Sequence, residues 1–256
     1  MHRVTASCNN QLIIKRRKRR LHKRCFVLSV TAAVTAVILC YKLPCFNIKS
    51  VDVTHNKSVS SKSIIKESGI SAGSNIFRIK SNKVTENIMR DPYISSVQVS
   101  KNFPSKIVIS INERKPAFYI KKDKFFYLID KDGFILEQKD YFNCRYLIEI
   151  KGINTGSLKT GCRLPLNDER CYSVIRQFSD IESENEKSFD ISSIDVSNIL
   201  DIKAYCNDFC IKIGNPEDLY KKLNKALLIL QTKGFKNAKG YVDVSYDGNP
   251  VFSTKK

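Results

Sequence analysis

Few residues in this chain have the types and spacing that chemistry requires. Gly69, Ile70, Ser71, Ala72 and Gly73 spell G-x-S-x-G, the elbow that presents a nucleophilic serine in α/β-hydrolases. Such a serine needs a later histidine to take its proton and a preceding strand to set the sharp turn. The three histidines, His2, His22 and His55, all lie upstream of Ser71, and the segment before Gly69 has helical spacing. A membrane-anchored serine hydrolase using Gly69 to Gly73 is therefore kept only as the alternative of another class. No Gly-rich loop is followed by the Lys that a nucleotide phosphate needs, and no His or Cys set has zinc spacing. Glu182, Glu184 and Glu186 alternate along a polar stretch and read as a solvated face. The expectation is a protein without enzyme activity, cofactor, metal or small-molecule substrate.

The cysteines point the same way. Cys8 falls in a basic tail and Cys25 and Cys40 in an apolar run, leaving Cys45, Cys144, Cys162, Cys171, Cys206 and Cys210 beyond it. Cys206 and Cys210 flank a predicted hairpin, Ile199 to Tyr205 and Phe209 to Ile213, around Asn207 and Asp208. A two-residue turn pairs Cys206 with Phe209 and Cys210 with Tyr205, which sends the two thiols to opposite faces. A disulfide between them fails on geometry, and small buried hydrophobes are the expected role.

The elements that hold these residues start with a charge asymmetry. The 256 residues carry a net charge of +19, and nine cations with no acid fall in residues 1–24. Cys25 to Tyr41, CFVLSVTAAVTAVILCY, is then 17 residues without a charge. As a helix it reaches roughly 25 Å of a hydrocarbon core of about 30 Å, and Leu43 to Phe46 extend it. No A-x-A-like site follows it, and bulky Leu39 precedes Cys40 where a lipoprotein signal has a small residue. A basic cluster beside such a run is the positive-inside anchor rather than a nucleic-acid arm, so residues 47–256 are expected outside the cytoplasm.

Beyond the span, FNIKSVDV at Phe46 to Val53 alternates as a half-buried strand does. A short helix follows with Ser60, Ser61 and Ser63 as cap candidates, Ile64 and Ile65 buried, and an end at Ser68-Gly69. A loop then carries Ile76, Phe77 and Ile79 inward, with Asn75 bonding backbone. A helix over Asn82 to Met89 has Val84, Ile88 and Met89 on one side and is stopped by Asp91-Pro92. Tyr93 to Ser100 and Ile107 to Ile111 are alternating strands around a turn through Pro104. The predicted order is strand, helix, helix, strand, strand.

These phrases resemble the POTRA domain of the FtsQ/DivIB cell-division family. FNIKSVDVTHN opens the unit, GISAGSNIF spans Gly69 to Phe77, and RDPYISSVQVSKNFPSKIVISINERKP runs from Arg90 to Pro116. Past Pro116, FFYLIDKDGFILEQ at Phe125 to Gln138 is a hairpin whose Asp132-Gly133 suits a tight turn. A loop over 151–166, helices over Leu166 to Ser183 and Glu217 to Lys233, the Ile199 to Ile213 hairpin and a last strand at Tyr241 to Tyr246 complete a second domain. Glu113 and Arg114 read as junction markers rather than an ion-pair site. The expected fold class is α+β: a transmembrane helix, then a POTRA domain and a mixed β domain. The expected boundaries are tail 1–24, span 25–45, POTRA 46–115, β domain 116–247 and tail 248–256.

The resemblance implies a bitopic scaffold of the bacterial division machinery, without chemistry of its own. Its implied partners are small bitopic proteins of the FtsB/DivIC and FtsL type, and its implied role is regulation of septal cell-wall synthesis. In such proteins the last strand region of the β domain offers an edge to a partner segment, which is β-augmentation. The matching positions are Tyr241, Val242, Asp243, Val244, Ser245 and Tyr246, with Val251 and Phe252 after Gly248 and Pro250. A transport or sporulation POTRA protein is the other binding-class alternative, which usually carries repeated units where this chain shows one.

Overall fold

A computed structural model describes residues 3–143, 147–153, 156–166, 168–184, 191–232 and 239–255. Cys144 and Glu186 lie outside them. The chain opens with one helix, α1, Arg3–Lys42. It is longer than the expected apolar run because neither Gly nor Pro occurs between Arg3 and Leu43. Within it Lys18–Lys42 is long and apolar enough to cross a membrane. Three hydroxyls in it are satisfied locally: Ser29 and Thr35 donate to the Phe26 and Thr31 carbonyls at 2.8 Å, and Thr31 to Leu28 at 2.9 Å.

Two compact units follow from the contacts. One runs through Thr54 and adds Ser60–Asn87 and Gln98–Ser110; the other takes His55–Val59, Ile88–Val97 and the chain from Ile111. The POTRA-type elements are β1 Ser50–Thr54, α2 Ser61–Ser68, α3 Ser81–Ile88, β2 Ile94–Asn102 and β3 Lys106–Glu113. The order matches the sequence expectation. β3 is the central strand of the sheet β1-β3-β2, and β1 runs parallel to it.

Local rules explain these limits. The Ser60 side chain accepts the Ser63 N–H to cap α2, and Gly69 at φ 68° ends it where a β-carbon would be strained. The first strand is shorter than FNIKSVDV implies. Pro44–Phe46 winds into a 3-10 turn, and the Ile48 N–H goes to the Ser74 carbonyl at 2.9 Å, so the ladder starts only at Ser50. Met89, expected inward, is 40% exposed because α3 ends one residue before it. In the first unit Ile64, Ile76, Val84, Ile107 and Ile109 are buried as periodicity requires.

The second unit is built on a nine-stranded sheet of order β12-β11-β10-β9-β8-β7-β4-β5-β6. Its strands are β4 Pro116–Lys122, β5 Phe125–Asp130, β6 Ile135–Lys139, β7 Ile148–Lys151, β8 Ser193–Asp195, β9 Ile202–Cys206, β10 Phe209–Gly214, β11 Lys239–Asp243 and β12 Val251–Lys255. Helices α4, Glu169–Glu184, and α5, Leu219–Thr232, contribute Phe178 and Leu223 to one core with Phe118 and Phe209. Each such side chain contributes about 1.5–3 kcal/mol by leaving water. β10 and β11 are parallel, and α5 is the crossover that parallel pairing demands.

The β9–β10 turn is the expected two-residue one: Cys206 pairs with Phe209 and Cys210 with Tyr205. Arg114 corrects the junction reading. Its Nη1 lies 2.6 Å from Asp130 Oδ2 with side chains 13% and 3% exposed, and its guanidinium sits 3.9 Å above the Phe134 ring. Asp130 also accepts the Asp132 and Phe134 N–H groups at 2.9 and 2.8 Å, which fixes the turn that Gly133 enters at φ 82°. Glu113 instead accepts the N–H groups of Lys57, Ser58 and Val59 at 2.7 to 3.1 Å.

Candidate partner-binding edge

The C-terminal end of the large sheet is where the expected binding residues fall. The strand expected to be last is not last. β11 is paired on both sides, parallel to β10 through Tyr241↔Cys210 and antiparallel to β12 through Tyr241↔Ser253. Residues read as a tail, Val251–Lys255, are strand β12, the outermost strand on this side of the sheet. A backbone that adds to the sheet here adds to β12, because β11 has already spent its ladder bonds on two neighbours.

The predicted residues therefore separate by position. Val242 and Val244 are core, at 0% and 3% exposure. Tyr241 is half-buried, and Lys212 holds its ammonium 4.4 Å from the ring centroid. Asp243 is half-buried and accepts both the N–H and the hydroxyl of Ser245, at 3.0 and 2.6 Å. These contacts turn the chain out of β11. Tyr246 donates its hydroxyl to the Asn249 carbonyl at 3.1 Å, and Lys225 of α5 donates to the Gly248 carbonyl at 2.6 Å. The two valines thus face the core, whereas Asp243, Ser245 and Tyr246 take part in the turn after β11, with Tyr246 46% exposed. Val251 and Phe252, 50% and 43% exposed on β12, are the large apolar side chains presented at the edge.

Sequence reasoning missed Gly240 and the strand character of Val251 to Lys255. Gly240 lies opposite Thr254, and a β-carbon on it would collide with the Ser253 carbonyl oxygen. The missed signal was present: a β-branched and aromatic run, Val251-Phe252-Ser253-Thr254, follows the turn residues Asp247-Gly248-Asn249-Pro250.

The G-x-S-x-G segment leaves helix α2 through Gly69, so a helix rather than a strand leads directly into it and it is not a strand-turn-helix elbow. Among the described residues no cluster of three or more His, Cys, Asp or Glu is placed to hold a metal ion.

A span-length N-terminal helix, a POTRA-type unit and a mixed β domain ending in an outer strand define a POTRA-containing protein with one candidate membrane helix. Residues 46–114 match the family model for the POTRA domain, FtsQ-type, and residues 118–245 that for the cell division protein FtsQ/DivIB C-terminal domain. The chain belongs to the FtsQ/DivIB family of cell-division proteins. It is 38% identical to the cell division protein DivIB of Clostridium acetobutylicum over 96% of this chain and 98% of that one. Identity to the DivIB of Clostridium botulinum strain Hall is 37% over the full length of both. The cell division protein FtsQ of Corynebacterium glutamicum is 30% identical over 42% of this chain and 48% of that one. β12 lies beyond the C-terminal family match, which stops at residue 245.

Proposed function

We propose that this chain is a bitopic scaffold of the division machinery that binds other division proteins through the C-terminal edge of its large sheet. The nine cations of residues 1–24 hold the N-terminus in the cytoplasm, so the POTRA-type unit, residues 46–115, and the β domain from 116 onward work outside it. Its partners are bitopic proteins of the FtsB/DivIC and FtsL type, and through them it regulates septal cell-wall synthesis. The observation that carries the reading is the placement of β12 at the end of the sheet with Val251 and Phe252 exposed on it. Main-chain bonds to an added strand give affinity, and Val251 and Phe252, adjacent on β12 and so on opposite faces of the sheet, offer one apolar contact on each face. Tyr241, opposite Ser253 in the register, shares the Val251 face of the sheet, with Lys212 over its ring.

A fluorescent fusion to the N-terminus, imaged in dividing cells, tests the assignment. Division scaffolding predicts a band at mid-cell during vegetative growth. A uniform peripheral signal, or one confined to sporulating cells, would move the protein to the transport or sporulation readings.

A further inference from the structure

The first unit carries a row of aromatic rings that starts on the membrane-spanning helix itself. Tyr41, in the last turn of α1, has its ring 6.0 Å from Phe77, and Phe46 meets the same ring edge-on at 5.2 Å. Phe103 also stacks on Phe77, at 5.2 Å and 29°. Asn75 ties the row to the helix: its amide donates to the Cys40 carbonyl at 3.0 Å, while its oxygen accepts the Phe77 N–H at 2.9 Å. Phe103 nevertheless stays 58% exposed, Tyr41 46% and Leu43 41%, an expensive arrangement in water.

Charge around the row is one-sided. The three segments that build it, 41–49, 71–80 and 101–106, contain Lys42, Lys49, Arg78, Lys80, Lys101 and Lys106 and no acid. Lys106 pairs with Asp52, and Lys101 donates to the Ile79 carbonyl, so both are partly committed. Lys42, Lys49, Arg78 and Lys80 are exposed. Rings flanked by cations at the point where a spanning helix leaves the hydrocarbon match the headgroup layer, whose boundary accepts aromatic rings and whose anionic lipids attract Lys and Arg.

We propose that the face made by Tyr41, Phe46, Phe77 and Phe103 rests in the lipid headgroup layer and holds the first unit against the bilayer, with anionic lipid as its preferred contact. The inference depends on reading Lys18–Lys42 as an inserted span, part of the function proposed above. It adds a second, lipid-facing surface to a unit otherwise suspended on one helix.

The sequence contains no Trp, so one introduced Trp reports alone. The full chain is reconstituted into phosphatidylcholine vesicles with or without phosphatidylglycerol, using lipids brominated near the glycerol or near the chain end. Two variants are compared: Phe103→Trp, a conservative change at an exposed ring, and Val34→Trp as the span reference. The proposal predicts deep quenching for Val34→Trp. For Phe103→Trp it predicts blue-shifted emission quenched by the shallow bromines, increasing with phosphatidylglycerol and falling again with added salt. If Val34→Trp is quenched while Phe103→Trp stays red-shifted and open to aqueous acrylamide, the face lies in water or against another protein, and the proposal fails. If neither is quenched, the span reading fails and takes this inference with it.

Discussion

Gly240 of β11 lies so close to the Ser253 carbonyl of β12 that no β-carbon fits between them. The outer strand is thus seated on a bare backbone, and a side chain at 240 must push β12 away. Gly240→Val is expected to cost the β11–β12 pairing about 1–3 kcal/mol. Hydrogen exchange should show β12 amides losing protection while β10, on the far side of β11, keeps its own.

Arg114 and Asp130 form an ion pair away from solvent, and Asp130 also holds the turn before Gly133. Arg114→Met leaves the Asp130 carboxylate buried without its cation and is expected to cost about 3–5 kcal/mol in denaturant unfolding. Adding Asp130→Leu should recover part of that loss and not all, because the Asp132 and Phe134 N–H groups then lack their acceptor.

Much of this fold was legible in local sequence, though strands β4, β7, β8 and β12 were not read from it. Ser60 and Gly69 bracket α2, Asn207-Asp208 set the β9–β10 turn, and alternation follows burial along β3 and, after Ile94, along β2. Each of those signals is read within a few residues. β7 and β8 were missed because they are only four and three residues long, and β7 pairs in parallel with β4 and β8, both distant from it in sequence. β12 was missed because five residues after a Gly-Pro-containing turn look like a tail until β11 is known to lie beside them. The sequence reading named Tyr241 to Tyr246 together with Val251 and Phe252; the structure distributes them over β11, the turn after it and the outer strand β12, where Val251 and Phe252 are exposed.

The Glu113 carboxylate gives the second unit an acid-sensitive tie. Its burial works to raise the pKa, but the N–H groups of Ser58, Lys57 and Val59 together outweigh that and hold the group below the ordinary glutamate range. A carboxyl depressed on folding contributes stability above its unfolded value of about 4.3 and loses it as pH falls through the lower folded value. Glu113→Gln should therefore be less stable than the parent at neutral pH. The difference should shrink below about pH 4, as the parent carboxyl protonates; unfolding curves across that range check it.

Burial raises the thiol pKa of Cys171 and of Cys210, the latter against the opposing hydrogen bond from Tyr205. Cys162 is exposed. Native alkylation followed by mass spectrometry should modify Cys162 before Cys171 and Cys210. Reductant should leave the mass of the Cys206–Cys210 peptide unchanged, because the register turns those thiols apart.

The most direct test of the scaffold account is co-purification of this chain from membranes with the FtsB/DivIC-type partner proposed for it, comparing Phe252→Glu with Tyr141→Glu. Tyr141 is 85% exposed and belongs to no strand, so its variant controls for added charge. A charge at the outer strand should remove the apolar anchor and reduce recovered partner at least tenfold, a loss of about 1.4 kcal/mol or more. Tyr141→Glu should recover it normally, with both variants equally folded. Full recovery with Phe252→Glu would contradict the claim that partners dock on β12.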